Sequence, residues 1–165
     1  LWLDRAGEDA AIRAVLERGV RGPQLQHGED LGERMFLALE QGLKTAKSVV
    51  LVGSDCPVLD RAYLLQAFEA LERTDLVLGP AEDGGYVLIG ARGLARSLFD
   101  GVRWGSGEVL SQTLANAEQA GMRTALLEEL YDVDEPDDLQ RWCAADLSVS
   151  LGDGRAAEVS SDDGR

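Results

Sequence analysis

Three acids in this chain follow apolar runs closely enough to do chemistry at the end of a β-sheet. Asp55 stands in Gly53-Ser54-Asp55-Cys56-Pro57, directly after Val49-Val50-Leu51-Val52, with a proline to fix the turn. Open α/β sheets bind ligands at the carboxyl ends of their strands. A carboxylate held there can take a Mg²⁺ or Mn²⁺ that bridges the phosphates of a nucleotide, because hard cations prefer oxygen ligands. Asp55 can equally serve as a cap for the turn or helix that follows. Asp83 lies in Gly79-Pro80-Ala81-Glu82-Asp83-Gly84-Gly85-Tyr86, where the paired glycines permit close backbone approach to a ligand. Tyr86 can stack on or hydrogen-bond to that ligand, and Asp83 can meet a metal, sugar hydroxyls or an acceptor. As a bare motif, Asp83-Gly84 is also a strong hairpin signal. Asp134, in Tyr131-Asp132-Val133-Asp134-Glu135-Pro136, precedes the last helix and can complete a metal site with Asp55. Asp137 and Asp138, in the first turn of that helix, suit its macrodipole and stay solvated. Between these places, Trp104-Gly105-Ser106-Gly107 reads as an acceptor-side loop, with Trp104 packing and Ser106 capping a helix or touching the ligand.

Other chemistries find little support. His27 is the single histidine and has no Ser or Cys partner arrangement, which argues against a hydrolase triad. Cys56 beside Asp55 reads as a small buried filler, since a neighbouring carboxylate raises a thiol pKa. Neither GxGxxG nor GxxxxGK[ST] occurs. With 30 acidic and 16 basic residues, a net charge of −14 disfavours unaided binding to nucleic acid or an anionic membrane surface. A diphosphate would need a cation or a few well-placed Arg and Lys residues. Cys56 and Cys143 fit no zinc spacing and suggest no disulfide scaffold, so a reducing, cytoplasmic location is expected. No apolar run is long enough to span a bilayer.

The elements that must position these residues alternate between helix and strand. Leu1-Trp2-Leu3 reads as the end of a strand, residues 7–18 as a helix closed by Gly19, and 24–26 as a short edge strand. Asp30 is expected to cap a helix with the inward stripe Leu31, Met35, Leu39 and Leu43. Residues 49–52 have the continuous apolar character of a strand buried on both faces of a parallel sheet. A helix over 61–71, strands at 75–78 and 86–89, a helix over 108–120, a strand at 124–127 and a helix over 136–145 follow. The expectation is one α/β/α three-layer sandwich with a mostly parallel sheet over residues 1–145. From residue 146 Gly, Ser, Asp and Ala replace the periodic pattern, as in a disordered acidic tail.

Taken together and in order, five segments are similar to one family. They are 28–35, Gly53-Ser54-Asp55-Cys56-Pro57, Gly79 to Tyr86, Trp104-Gly105-Ser106 and Asp132-Val133-Asp134-Glu135-Pro136-Asp137-Asp138-Leu139. They resemble bacterial glycosyltransferase-A-like proteins of the nucleotide-diphospho-sugar transferase type, over about residues 1–142. A more distant resemblance is to molybdenum-cofactor and phospholactate guanylyltransferases. It implies a sheet domain that binds a nucleoside-diphosphate sugar or a nucleoside triphosphate through a divalent cation, Mg²⁺ or Mn²⁺, and passes a group to an acceptor the sequence does not name. By position, Asp55 and Asp134 match the metal-side acids, with Ser54 beside the former. Asp83, Gly84, Gly85 and Tyr86 match an acceptor-side loop, with Trp104 and Ser106 next to it. Asp30 and Arg34 match the base or ribose side.

Two departures stand out. The Asp-x-Asp metal motif of glycosyltransferases is reduced to Ser54-Asp55-Cys56. The family's first strand and basic phosphate loop are expected to lie ahead of Leu1, so this chain alone is expected to be poorly active. Glycosyl transfer is the first functional expectation and nucleotidyl transfer with release of pyrophosphate the second. A non-catalytic remnant acting as a binding module is the third.

Overall fold

The computed structural model describes residues 2–3, 17, 24–54 and 56–131. The helices expected at 7–18 (apart from Glu17, which is helical) and 136–145 lie outside these residues, as does the tail from 146. In chain order the elements are β1 (Trp2–Leu3), β2 (Gln24–Leu25), α1 (Leu31–Leu43), β3 (Val49–Val52) and α2 (Arg61–Leu71). There follow β4 (Leu76–Pro80), β5 (Tyr86–Ala91), a 3-10 turn (Arg96–Phe99), α3 (Val109–Gln119) and β6 (Thr124–Leu126).

Local chemistry starts two of the helices. Asp30 is extended (φ −128°, ψ 178°) and its carboxylate accepts the Glu33 backbone N–H at 2.8 Å, while Glu33 reaches back to the Glu29 N–H at 2.7 Å. Reciprocal bonds of this kind satisfy donors that the first turn of a helix leaves open. Asp60 repeats the device on α2, accepting the Tyr63 N–H at 2.8 Å. Neither helix interior holds a β-branched residue, so little rotamer freedom is lost in forming them.

Four strands form one mixed sheet in the order β3-β5-β4-β6. β5 pairs antiparallel with both β3 and β4, and β4 pairs parallel with β6. Strands β3, β4 and β6 therefore run one way and β5 runs against them. β1 and β2 pair parallel in a separate two-stranded sheet. Alternation along β4 sorts its side chains between two cores. Val77 packs with Tyr63, Ala67 and Leu71 of α2. Leu76 and Leu78 pack on the opposite face with Leu39 of α1, Leu98 of the 3-10 turn and Ala117 of α3. Helix α2 thus covers one face and α1, the 3-10 turn and α3 cover the other, which is the expected three-layer arrangement.

Two expectations are corrected. β3 is not a strand buried on both faces of a parallel sheet: its one partner in the described sheet is the antiparallel β5, its residues are half-buried, and Val52 is 49% exposed. The run of four apolar residues reports hydrophobicity alone, and only the pairing of distant segments determines which strand lies inside. Leu31 does not belong to the inward stripe either. It is 49% exposed, because it borders the open cavity it shares with Met35, Leu51 and Ser54, whereas Leu39 is fully buried in the core.

Candidate functional site

Strands β3, β4 and β6 end on one side of the sheet, and the loops that leave them converge there. At β3 the Gly53 N–H donates to the Val87 carbonyl at 2.9 Å, which carries the β3–β5 ladder one residue past the strand and sets exposed Ser54 at its end. Cys56 turns back into the core, 8% exposed, and its thiol donates to the Tyr131 carbonyl at 3.4 Å. That contact joins segments 75 residues apart in the chain. From the other side, Ala81 bridges to Leu130 and the Glu82 N–H donates to the Leu130 carbonyl at 3.1 Å. Cys56, which follows Asp55, Glu82, which precedes Asp83, and the segment Leu130-Tyr131 are thus gathered at one sheet end.

Tyr63 reinforces this gathering from below. Its hydroxyl donates to the Glu128 carbonyl at 2.6 Å, and burial, with smaller contributions from Cys56 and Glu128, pushes its phenol up to about 12. A protonated phenol is what the bond to a carbonyl requires. Gly79 is necessary beside it, since a Cβ there would fall 2.5 Å from the Tyr63 hydroxyl.

Asp83 occupies the connection between β4 and β5. The Asp-Gly pair makes a hairpin turn, at the same end of the sheet as the loops that follow β3 and β6. The Ala81 N–H donates to the Gly85 carbonyl and the Gly84 N–H to the Ala81 carbonyl, at 3.1 and 3.0 Å. The Asp83 carboxylate is exposed and accepts the Gly85 N–H at 2.8 Å. Gly84 has φ +87°, a conformation costly for residues with a Cβ.

Tyr86 opens β5 and is mostly interior. Its ring joins the core beneath α3, and its hydroxyl faces that of Thr113 without an ordinary hydrogen bond, both being sealed from water. Burial raises its phenol well above the ordinary value, with the Thr113 contact opposing. An edge of Tyr86 also lines an apolar cavity of about 280 Å³ with Leu31, Met35, Leu51 and Ser54.

Of the remaining predicted residues, Ser106 organises the entry to α3. Its hydroxyl donates to the Arg103 carbonyl at 2.7 Å and accepts the Glu108 N–H at 3.4 Å, and Arg103 pairs with Glu108. Trp104 stacks at a tilt on Phe99, ring centroids 5.9 Å apart, and packs over Gly32, with its indole N–H buried and unbonded. Asp30 and Arg34 belong to the start of α1, Arg34 through a bond from Nε to the Gly28 carbonyl at 3.2 Å. Asp30 also lines a cavity of about 300 Å³ with Glu33, Phe36, Arg96 and Phe99. Asp30 and Arg34 thus stand on the helix beside the sheet end.

Asp55 and Asp134, the acids expected to hold a metal, lie outside the described residues. Among the described residues no group of three His, Cys, Asp or Glu converges on an ion position. Nor does any described helix have the length and apolarity to cross a membrane. Sequence reading overlooked the bond from Cys56 to Tyr131 and the contact of Gly84 with Gly107. The one available hint was a glycine beside each loop's polar residue, Asp83 and Ser106.

The fold is similar to a solved structure from Desulfovibrio desulfuricans G20 whose name assigns it to the nucleotide-diphospho-sugar transferases, with TM-score 0.67 and 34% identity, covering 78% of this chain and 58% of that one. A 2-phospho-L-lactate guanylyltransferase from Methanopyrus kandleri is 36% identical over 96 residues, 54% of this chain and 46% of the relative. The chain therefore spans about half the length of each of these two proteins. Its residues 1–106 match the model of the family described as "Uncharacterized protein conserved in bacteria (DUF2064)", and the chain belongs to that family.

Proposed function

We propose that this chain supplies the donor-binding sheet end of a nucleotide-dependent transferase that moves a glycosyl group from a nucleoside-diphosphate sugar to an acceptor. The observation that carries this reading is the convergence of the loops after β3, β4 and β6, tied by the Cys56–Tyr131 and Glu82–Leu130 bonds, within a fold similar to a nucleotide-diphospho-sugar transferase. In the reaction the acceptor oxygen bonds to the anomeric carbon, the bond from that carbon to the diphosphate breaks, and the acceptor proton passes to a base. Asp83, exposed on a turn held by its own backbone bonds, is the base in this reading. Ser54 offers its exposed hydroxyl to the substrate beside the Gly84-Gly85 turn, with Tyr86, Trp104 and Ser106 behind them and Asp30 and Arg34 toward the base and ribose.

Asp55 and Asp134 would hold a Mg²⁺ or Mn²⁺, for which carboxylate oxygens are fitting donors. Such an ion neutralises charge on a departing diphosphate. A second reading, nucleotidyl transfer, is favoured by the identity shared with the guanylyltransferase. There a phosphate oxygen of the acceptor attacks the α-phosphorus of a nucleoside triphosphate and pyrophosphate leaves.

Thermal-shift titration with Mn²⁺ and UDP, GDP, CDP and their sugars, followed by product analysis, tests the proposal. The expected result is a metal-dependent, nucleotide-selective rise in Tm that is lost in Asp55→Ala, with a nucleoside diphosphate as product. Pyrophosphate released from a triphosphate would select the second reading. A folded chain that binds none of these nucleotides would overturn both and leave a binding module without catalysis.

A further inference from the structure

We infer that Gly84 and Gly107 form a backbone clasp that sets the Asp83 turn against the loop of residues 104–107, which makes Gly107 a positioning residue. The inference rests on the sheet end being the transferase site proposed above.

The contact is between main chains. A Cβ at Gly84 would fall 2.3 Å from the Gly107 carbonyl oxygen and 2.7 Å from its carbon. No flexible side chain stands there to move aside. From the other side, a Cβ at Gly107 would come within 3.3 Å of the Asp83 carbonyl oxygen. The approach is completed by a hydrogen bond from the Leu110 N–H to the Gly84 carbonyl at 2.9 Å. Helix α3 lacks a side-chain cap at Glu108, so the turn's carbonyl satisfies an amide of the first helical turn that a cap residue would otherwise serve.

Asp83 is linked to the same contact on both sides. Its carboxylate accepts the Gly85 N–H at 2.8 Å, and its carbonyl oxygen is the atom that a Cβ at Gly107 would meet. A shift of Gly107 therefore passes into the turn that aims the carboxylate. Gly93 bears no such constraint and serves as a control: around a Cβ there, nothing lies within 4 Å.

The two glycines predict different variants. Gly84→Ala meets both the positive φ and the clash, and is expected to separate the turn from α3. Gly107→Ala asks only a few tenths of an ångström of the Asp83 carbonyl, so it is expected to fold and to keep its nucleotide-dependent Tm shift. Its turnover should fall about tenfold, since catalytic geometry is sensitive to sub-ångström displacement. Amide hydrogen exchange should quicken together at Gly85 and Leu110 and stay unchanged at Val77, with Gly93→Ala matching wild type in every measurement.

Unchanged exchange at Gly85 and Leu110 in Gly107→Ala would overturn the clasp. Faster exchange with unchanged turnover would overturn the positioning role. If the wild type neither binds nucleotide nor turns over, the transferase reading fails and the positioning role with it, while the exchange measurement still decides whether the clasp exists.

Discussion

Strands β3 and β4 have nearly the same apolar character in sequence, yet the fold puts them in opposite situations. β4 lies between two neighbours, with Leu76, Val77 and Leu78 at 0% exposure and a helical layer on each face. β3 is half-buried at the end of the described sheet, and Val52 at its tip is 49% exposed. The loops they carry differ in the same way. Asp83 hangs from the interior β4–β5 hairpin and is tied to α3, whereas Ser54 follows the half-buried strand and is exposed. In the transferase proposed above, a site assembled across both would have one firm wall, suited to aiming an acid, and one compliant wall, suited to admitting a substrate.

The contrast is easiest to break by truncation. Leu78→Ala should cost about 2–5 kcal/mol, the usual range for a leucine removed from a closed core. Val52→Ala should stay within about 0.5 kcal/mol, as exposed substitutions do. Urea denaturation of the two variants measures the difference, and similar losses would mean that β3 is as closely packed as β4.

A finer probe asks whether the two walls loosen separately. Tyr63→Phe removes the bond to the Glu128 carbonyl and should cost about 1 kcal/mol. Amide exchange should quicken at Leu127 and Leu130, whose N–H groups hold this segment to Leu78 and Pro80. Asp30→Ala should cost a similar amount, about 1 kcal/mol, but quicken exchange at Glu33 and Arg34 in α1. Faster exchange at both places in either variant would show that the walls open as one unit.

The smallest effect concerns the opposite end of the sheet. The Arg123 guanidinium and backbone N–H hydrogen-bond to Asp75 and hold its carboxyl at about 2, below its ordinary 3.8. A carboxylate whose pKa is lowered by folding stabilises the fold above its unfolded pKa, and the contribution disappears as pH falls from about 4 through about 2. Both partners are substantially exposed, so solvent screening should keep the contribution small. Urea midpoints of wild type and Asp75→Asn should differ at pH 6 and converge near pH 2. A constant difference across that range would assign the effect to something other than the charge.

Much of this architecture was legible before any coordinates. Helix α2 spans 61–71 as its periodicity predicts, α1 begins at the Asp30 cap, and β4, β5 and β6 fall within two residues of their expected positions. Capping, periodicity and turn chemistry act over a few residues, so they can be read from a few residues. The same holds for the candidate residues Ser54 and Asp83, which follow apolar runs that must end at the margin of a sheet.

What the sequence alone determined, then, was which segments form helices and strands and which polar groups stand at their ends. Tertiary structure alone decided that β5 runs antiparallel between β3 and β4, that Val52 is exposed while Leu78 is buried, that Cys56 reaches Tyr131, and that Gly84 meets Gly107. Each of these joins segments distant in the chain. Their energies depend on which surfaces the packed layers bring together, and no local pattern of residue types encodes that choice.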